Sequence, residues 1–476
     1  LAAAIRLSVQ GFEVDVFERN WYAGGKLSFF EKDGFLFDAG PSLFTQPNNI
    51  EELFAFAGEP IEDYFQYQQV PLSCKYFYEN GKQVSAWTNA EQLADELHTQ
   101  LGEDKEAVKN YLNKSETLYN NIGRIFLNHS LHKRSTWLQK SILTALQTVR
   151  PSHLTGTLHG FNQTSFKTNE AVQLFDRFAT YNGSNPYQTP GMMSLIPHLE
   201  LNEGTFYPKG GMISITNALV KLAEKKGIRI HYNTPVQRII HYQGEVNGVV
   251  VDDENIEADV VVSNADVYFT YQQLLDDQYQ TKKVLKQERS CSGVIFYWGM
   301  NREFSNLHLH NIFFSNNYAA EFDTLFKQQR LYNDPTVYVN ITSKMEEGLA
   351  PNGMENWFVL INAPSNVGQN WEAMRVQLRQ QVIDKLSRIL QTNIEEAIAV
   401  EEYLDPIRIE ERTGSYMGSL YGTSSNGKMA AFLRHPNFTK KIQGLYFCGG
   451  SVHPGGGIPL CLLSARITTE LIQGKH

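Results

Sequence analysis

The stretch of this chain with the clearest chemical character is a glycine-rich segment near its C-terminus. It reads GGSVHPGGGIP over residues 449–459, between the apolar segment 444–448 and residues 460–473, whose apolar spacing predicts a helix. Glycine lets a backbone approach a ligand closely, and the first N–H groups of a helix favour electron-rich groups. The pattern therefore predicts a strand, a loop and a helix that together bind an electron-rich cofactor.

A second segment with chemical character lies close to the N-terminus. Residues 1–10 are strong helix formers, Gly11 ends the predicted helix, and residues 13–17 alternate polar and apolar side chains up to Glu18. In a dinucleotide-binding βαβ unit, the acid that follows the second strand accepts hydrogen bonds from the adenosine ribose. The strand and glycine turn of the first half are absent, so we expect the chain to be an N-terminally truncated form of a longer protein.

More glycines follow Glu18 in an ordered pattern. The pattern is E-R-x4-GGK-x7-GF-x2-D-x-GP over residues 18–41, and it contains Gly24, Gly25 and Lys26. Adjacent glycines allow a backbone to approach a pyrophosphate, and a lysine adds a positive charge beside it. A tight turn would explain the two glycines alone, but the whole combination is much harder to obtain by chance.

This combination resembles the FAD-dependent flavoprotein superfamily that includes amine oxidases, protoporphyrinogen oxidases and carotenoid desaturases. The resemblance implies FAD as the cofactor and an α/β fold, with a Rossmann-like FAD-binding domain of the glutathione-reductase type and an inserted α+β substrate domain. The residues that the resemblance assigns to cofactor binding are Glu18, Arg19, Gly24, Gly25, Lys26, Asp38, Gly40, Pro41, Val236, Gly449, Gly450, Gly456, Gly457 and Ile458.

Further motifs are similar to those of the carotenoid desaturases in particular. They are GxxHPGxGIP over 450–459, ATYNGSNPY over 179–187, LIPHLE over 195–200 and YPKGG over 207–211. Residues 421–436 are most similar to the branch that introduces 3,4-double bonds into 1-hydroxylated acyclic carotenoids, whereas phytoene-desaturating relatives share the other motifs. The resemblance implies desaturation of an acyclic polyene, by hydride transfer from an allylic C–H bond to the flavin.

The order of the segments predicts two discontinuous domains. Between the two ends of the chain, a helical pattern over 212–226 and several short strand patterns up to residue 262 fit the αβ alternation of a cofactor domain. The predicted FAD-binding domain comprises residues 1–66, 203–275 and 440–476, and the predicted substrate domain comprises residues 67–202 and 276–439.

Candidate catalytic residues are few, because the flavin carries the difficult step and the protein positions an apolar chain. His198, Glu200 and His453 lie in the shared motifs and are weak candidates for a proton acceptor, and a structural role explains each of them better. No spacing of histidine, cysteine or carboxylate residues predicts a catalytic triad or a metal site. The four cysteines form no C-x-x-C pair, which is typical of thiols in a reducing compartment.

The charge of the chain excludes some partners and indicates another. Its net charge of −9 argues against a nucleic-acid binder, and no apolar run approaches the roughly 20 residues that span a bilayer. Residues 117–169 nevertheless contain no Asp or Glu and six Lys or Arg. An interfacial helix that meets anionic lipid has this pattern, and so does a core-packed helix with a basic solvated face. The candidate membrane contacts are Lys133, Arg134, Trp137, Leu138 and Lys140.

The expected partners are therefore a long apolar polyene, a membrane surface and an electron acceptor, either oxygen or a quinone. We expect a cytoplasmic protein that associates peripherally with the inner face of the cell membrane. Two alternatives remain open: a flavin oxidase of an amine or a porphyrinogen, and a non-catalytic isoprenoid-binding relative such as the GDP dissociation inhibitors. The second alternative would not require the glycine loop over 455–458.

Overall fold

The computed structural model describes residues 1–138, 151–276, 279, 286–427 and 434–474. Eighteen strands within these ranges are named in chain order: β1 (Asp15–Phe17), β2 (Phe29–Lys32), β3 (Phe35–Asp38), β4 (Tyr67–Val70), β5 (Leu72–Phe77), β6 (Gln83–Trp87), β7 (Thr205–Pro208), β8 (Arg229–His231), β9 (Val236–Tyr242), β10 (Glu245–Val251), β11 (Glu254–Glu257), β12 (Val261–Ser263), β13 (Ser292–Met300), β14 (His310–Phe313), β15 (Val337–Ile341), β16 (Glu355–Ala363), β17 (Ile398–Leu404) and β18 (Leu445–Phe447).

Helices alternate with these strands along most of the chain. The α-helices are Ala2–Val9, Asn48–Phe56, Ala90–Leu101, Lys105–Leu118, Arg124–Asn128, Arg134–Trp137, Pro151–Thr155, Leu158–Gln163, Asn169–Asp176, Ile213–Lys225, Val267–Phe269, Tyr318–Phe326, Trp371–Leu390, Ile394–Ala397, Pro406–Thr413 and Ile458–Ile472. Shorter 3₁₀ and π turns extend several of them, for example at Tyr119–Gly123 and Arg177–Asn182, and a separate π turn lies at His198–Asn202. The result is a mixed α/β fold, as the sequence predicts.

Two short parallel sheets contain both ends of the chain. Strand β1 pairs with β8, and β12 pairs with β18. The first helix, Ala2–Val9, buries Ala3 against Cys448 and Ala465 of the C-terminal segment. The predicted helices at both ends of the chain and the predicted strands before Glu18 and before Gly449 are therefore present, each within a few residues of its expected position.

A seven-stranded sheet forms the second large unit of the fold, in the order β17-β13-β16-β15-β14-β5-β6. Strand β13, which lies beside the edge strand β17, is buried along its whole length, and its side chains alternate between the two faces of the sheet. Trp298 points into a core with the helix Trp371–Leu390, whereas Tyr297 points into a core with the hairpin β2–β3. The hairpin carries the predicted GF-x2-D motif, so this packing places the motif against the large sheet.

Candidate functional site

A cavity of about 1480 Å³ lies between the parallel sheets and the seven-stranded sheet. It exceeds the roughly 300–1,000 Å³ of most ligand pockets. Part of it runs along β1 and β12, and part is lined by apolar side chains of the large sheet and its helices, such as Ile312 and Leu360. The cavity therefore has room for an extended cofactor along the glycines and an apolar ligand beside it.

Glu18 and Arg19 lie in the cavity wall directly after β1, as predicted. One carboxylate oxygen of Glu18 accepts a hydrogen bond from the Asn20 backbone N–H at 2.8 Å. The backbone of Glu18 pairs with His231 and Thr234, which fixes the carboxylate at the end of the parallel sheet. This geometry suits an acid that accepts hydrogen bonds from a ribose.

The segment that follows Glu18 is tied to a distant part of the chain, which we name the 411–420 segment. Arg19 Nη2 donates to the Glu411 carbonyl at 2.7 Å, and Asn20 Nδ2 donates to the Arg412 carbonyl at 3.2 Å. Lys26 Nζ donates to the carbonyls of residues 419 and 420, at 3.2 and 2.8 Å. Burial lowers the pKa of the Lys26 ammonium to about 8. Lys26 therefore ties the 411–420 segment to the N-terminal segment and also lines the cavity.

Close backbone contacts explain two of the N-terminal glycines. A Cβ atom at Gly40 would lie 1.8 Å from the Lys26 carbonyl oxygen, and one at Gly24 would lie 2.5 Å from the Leu27 carbonyl oxygen. Gly24 also has a φ of +94°, a conformation that favours glycine. Pro41 follows Gly40 in the cavity wall. These residues form a backbone surface that side chains would block.

Asp38 and Val236 occupy different positions relative to the cavity. Val236, the first residue of β9, lies in the cavity wall. Asp38 is buried beneath the wall, where both carboxylate oxygens accept from the Met212 backbone N–H at 3.1 Å. Burial raises the pKa of Asp38 to about 6. Asp38 therefore positions the turn before the helix Ile213–Lys225, which packs beside the cofactor segment.

The C-terminal glycine loop forms the opposite end of this backbone surface. A Cβ atom at Gly449 would lie 2.3 Å from Asn264 Nδ2, and one at Gly450 would lie 3.3 Å from the Gly456 Cα. Gly457 has a φ of +113° and precedes Ile458, where the last helix begins. The residues of this loop that were predicted to contact the cofactor all lie in the cavity wall.

Arg434 supplies a buried positive charge beside this loop. Its Nη1 donates to the Tyr421 carbonyl at 2.8 Å, and within the described part of the chain no carboxylate forms an ion pair with it. Burial lowers the pKa of Arg434 to about 10. A buried guanidinium and a cradle of glycines fit the electron-rich and anionic parts of FAD, so the residues present suit that cofactor.

The three weak catalytic candidates lie in different environments. His198 lies outside the cavity wall, where its Nδ1 contacts Asn202 Nδ2 at 3.0 Å. His453 lies in the wall and donates from Nε2 to the His129 carbonyl at 2.9 Å. Burial lowers the pKa of His453 to about 4, so its imidazole is neutral at pH 7. The structure therefore gives both histidines structural contacts.

Glu200 lies in the cavity wall, but both of its carboxylate oxygens already accept hydrogen bonds from other protein side chains. Arg177 Nη2 donates to both carboxylate oxygens at 2.8 and 2.9 Å, Ser73 donates to one at 2.7 Å, and Tyr181 donates to the other. Burial alone would raise the pKa of Glu200, but the Arg177 guanidinium and these hydrogen bonds outweigh it and lower the pKa. Glu200 is therefore an anion that holds Arg177 and Tyr181 in the wall.

Several polar residues of the cavity were not predicted. Arg177 and Tyr181 surround Glu200, and Ser42, Tyr338 and His310 form a hydrogen-bonded chain at the large sheet. Only Tyr181 lies in a motif that the sequence singled out. The others come from strands and turns far apart in sequence, and single polar residues in apolar strands give no local signal.

The candidate membrane residues form an exposed patch next to the cavity. Trp137 is 42% exposed and Leu138 is 83% exposed, and the exposed Arg134 lies on the same short helix. Lys133 lies over the Phe438 ring at 5.1 Å. Lys140 lies outside the described residues. The neighbouring residues 126, 127 and 131 line the cavity, so the patch adjoins it.

No group of three or more histidine, cysteine or carboxylate residues in the described ranges is arranged to hold a metal ion. None of the helices there combines the length and apolar character that crossing a bilayer requires.

Comparisons with known proteins agree with this geometry. A family model described as flavin containing amine oxidoreductase matches residues 1–473. The chain is 48% identical over 476 residues to a 1-hydroxycarotenoid 3,4-desaturase of Flavobacterium sp. (strain P99-3), covering 100% of this chain and 97% of the relative. It is 32% identical to a 4,4'-diapolycopene oxygenase of Methylomonas sp, covering 99% and 95%.

Among solved structures, an oxidoreductase from Methanosarcina mazei superposes with a TM-score of 0.64 at 15% identity. The superposition covers 98% of this chain and 97% of that chain, and supports the fold. The predicted superfamily, the α/β fold class and FAD as the cofactor are thereby confirmed. The chain belongs to the family of flavin-containing amine oxidoreductases.

Proposed function

We propose that this protein is an FAD-dependent desaturase of an acyclic carotenoid, and that it introduces a 3,4-double bond into a 1-hydroxylated substrate. The 48% identity to a 1-hydroxycarotenoid 3,4-desaturase, along the whole of both chains, carries this proposal. The large cavity supports it, because an apolar space lies directly beside a glycine surface that suits FAD.

The cavity walls explain what the protein contributes to such a reaction. Apolar side chains such as Ile312, Leu360 and Phe358 exclude water and align a polyene along the large sheet. FAD held by the glycine segments around Gly24, Gly40 and Gly457 would supply a two-electron acceptor for the hydride of the allylic carbon, with oxygen or a quinone as the final oxidant. Loss of a hydride from an allylic carbon makes the neighbouring C–H acidic, so a strong base is not required. The neutral His453 and the ion-paired Glu200 are both poor bases, which agrees with a reaction that needs no strong base.

The proposal includes the two-domain organisation. Residues 1–66, 203–275 and 440–476 would bind FAD, and residues 67–202 and 276–439 would bind the polyene. The strands of the parallel sheets come from the first set, and those of the seven-stranded sheet come from the second set. The antiparallel pair of β4 and β7 joins the two sets close to their first boundary.

Turnover of defined substrates tests the proposed function. The FAD-loaded protein is incubated separately with a 1-hydroxylated acyclic carotenoid, with phytoene and with an aliphatic amine, under oxygen or under nitrogen with a quinone. We expect a red shift of the polyene absorption with the hydroxylated carotenoid, because desaturation lengthens the conjugated system. Oxidation of the amine alone would contradict the proposal, and a red shift with phytoene alone would assign the protein to the other branch.

The proposal also includes peripheral binding to the inner face of the cell membrane. A carotenoid resides in the bilayer, and the exposed Trp137 and Leu138 adjoin the cavity through residues 126–131. Exposed apolar side chains beside basic ones are typical of a surface that meets anionic lipid. A substrate could thus pass from the bilayer into the cavity.

Charge reversal in this patch tests membrane binding. The double variant Lys133→Glu and Arg134→Glu should weaken binding to anionic liposomes at low salt by about tenfold or more, because each basic residue near the surface contributes about 1 kcal/mol. Cosedimentation with the liposomes measures this effect. Arg302 is exposed and follows the end of β13, so Arg302→Glu is the control and should leave liposome binding unchanged. Equal binding of the double variant and the control would refute the docking surface.

A further inference from the structure

A chain of polar side chains crosses the cavity wall at the large sheet. Ser42 Oγ lies 2.9 Å from the Tyr338 hydroxyl, and that hydroxyl lies 2.8 Å from His310 Nδ1. Asn340 Nδ2 lies 3.1 Å from the same His310 nitrogen. Ser42, Tyr338 and His310 line the cavity, and we refer to them as the Ser42–Tyr338–His310 chain.

Asn340 fixes the direction of every hydrogen bond in this chain. Its Nδ2 also lies 3.1 Å from the Leu309 carbonyl, which can only accept, so the amide is oriented with its NH₂ group toward both partners. His310 Nδ1 therefore carries no proton and accepts. The Tyr338 hydroxyl, 2.8 Å from Nδ1, therefore donates to the same nitrogen lone pair, which it shares with the Asn340 amide, and the ring proton lies on Nε2. The Ser42 hydroxyl in turn donates to the Tyr338 oxygen.

This direction leaves the Ser42 oxygen as an acceptor in the cavity wall. Its own proton is used by Tyr338, and its side chain is only half buried. Burial lowers the pKa of His310 to about 3, so the neutral ring maintains the direction of the chain at neutral pH. Glu200, in the other polar cluster of this wall, is less able to accept a further hydrogen bond from a ligand, because it already accepts from Arg177, Tyr181 and Ser73.

The position of Ser42 relates this acceptor to the reacting carbons. Ser42 directly follows Gly40 and Pro41, which belong to the predicted cofactor segment, and it lines the same cavity as the C-terminal glycine loop. In a 1-hydroxylated substrate that is desaturated between carbons 3 and 4, a single carbon separates the hydroxyl-bearing carbon from the reacting pair. A residue that binds this hydroxyl must therefore lie close to the flavin.

We propose that Ser42 accepts a hydrogen bond from the substrate hydroxyl and that Tyr338 and His310 hold Ser42 in the accepting orientation. This inference rests on the proposed function, and it assigns substrate selection to Ser42 and positioning to the other two residues. The hydrogen bond favours a hydroxylated carotenoid over an acyclic carotenoid of the same length that lacks the hydroxyl, and it places carbons 3 and 4 against the cofactor.

The ratio of kcat/KM for these two carotenoids tests the inference. Ser42→Ala should lower kcat/KM for the hydroxylated carotenoid by about tenfold, mainly through a higher KM, because it removes one neutral hydrogen bond. The value for the hydroxyl-free carotenoid should change by less than about twofold. Tyr338→Phe should reduce the ratio by a smaller factor in the same direction, because Ser42 then loses only its orientation.

Tyr78→Phe is the matched control, because it removes a tyrosine hydroxyl that donates to the Glu170 carbonyl outside the cavity. Its ratio should equal that of the unmodified protein. Two results for Ser42→Ala would overturn the inference: an equal loss of kcat/KM for both carotenoids, or a loss of bound FAD measured by the flavin absorption. Either result would mean that the Ser42–Tyr338–His310 chain serves the cofactor or the fold. If Ser42→Ala does not fold, an unchanged ratio in Tyr338→Phe overturns it.

Failure of the proposed function is a distinguishable result. In that case the unmodified protein desaturates neither carotenoid, or only the one that lacks the hydroxyl. The inference about Ser42 fails separately, when the unmodified protein prefers the hydroxylated carotenoid and the variants retain that preference.

Discussion

The two walls of the cavity are built from different parts of the chain and present different groups. The glycine wall, formed by residues 24–25, 40–41 and 449–457, presents mainly backbone, and a Cβ atom at Gly24, Gly40 or Gly449 would collide with neighbouring protein atoms. The sheet wall presents side chains that are held by other side chains, such as Glu200 by Arg177 and Ser42 by Tyr338. A backbone surface is encoded in a few consecutive residues, whereas a side-chain surface exists only after distant segments have packed together.

The two walls should also respond differently to substitution. The glycine wall is sensitive to added volume, because its closest approaches are between backbone atoms. The sheet wall is sensitive to removed charge, because its ion pair is almost completely buried. Three measurements test this difference, and they follow from the largest expected effect to the smallest.

Glu200→Gln tests the sheet wall. It leaves the buried Arg177 guanidinium without its counterion, so we expect the free energy of unfolding to fall by about 3–5 kcal/mol. Urea denaturation measures this change. Glu395→Gln, which breaks the exposed ion pair with Arg379, is the control and should cost less than about 1 kcal/mol. Equal losses in the two variants would show that the Arg177–Glu200 pair is not the main support of this wall.

Gly40→Ala tests the glycine wall. Its Cβ would lie 1.8 Å from the Lys26 carbonyl oxygen, so the backbone must shift, at a cost of about 3 kcal/mol, and bound FAD should be lost. The flavin absorption and the denaturation midpoint report both effects. Gly160→Ala is the control, since its helix, Leu158–Gln163, lies outside the cavity and alanine favours helices. Normal FAD content in Gly40→Ala would contradict the steric account.

Each wall contains a buried histidine, so the pH dependence of the free energy of unfolding compares the two walls. Burial lowers the pKa of His453 in the glycine loop to about 4 and that of His310 in the sheet wall to about 3. Because the unfolded chain binds these protons more readily, stability is complete above about pH 6.5 and is lost as the pH falls toward these values. His453 alone should account for roughly 2–3 kcal/mol of that loss.

His453→Asn separates the contribution of the glycine loop from that of the sheet wall. Thermal or urea unfolding between pH 7 and pH 4 should show a smaller loss of stability in this variant than in the unmodified protein, because asparagine does not titrate there. An identical pH profile would mean that His453 is as easily protonated in the folded protein as in the unfolded chain.

The glycine wall was predictable from the sequence, and the sheet wall was not. Glu18, Gly40 and Gly457 lie in the cavity wall because the strand, turn and helix that carry them are encoded locally. Asp38 was predicted to bind the cofactor, but it lies beneath the wall, where its carboxylate accepts from the Met212 backbone N–H, 174 residues away. His198 lies in a shared motif and still lies outside the wall, because a motif does not specify which side of a turn faces the cavity.

No sequence pattern predicted the cluster of Ser42, Tyr338 and His310, because its members meet only through the packing of distant segments. His310 and Tyr338 occupy facing strands, β14 and β15, and Ser42 meets them only through the packing of the N-terminal segment on the large sheet. Alternation within a strand indicates which side chains share a face, but not which other segment will cover that face. Their assignment to the substrate hydroxyl stays a proposal.

The bonds between the N-terminal segment and the 411–420 segment have a consequence for biosynthesis. Arg19 and Asn20 each donate to a carbonyl 392 residues later in the chain, and Lys26 donates to carbonyls near residue 420. Because a ribosome produces the chain from its N-terminus, the first cofactor-binding segment is made long before the residues that hold it in place. The glycine loop at 449–457 is made later still. The surface that we assign to FAD can therefore close only when nearly the whole chain has been made.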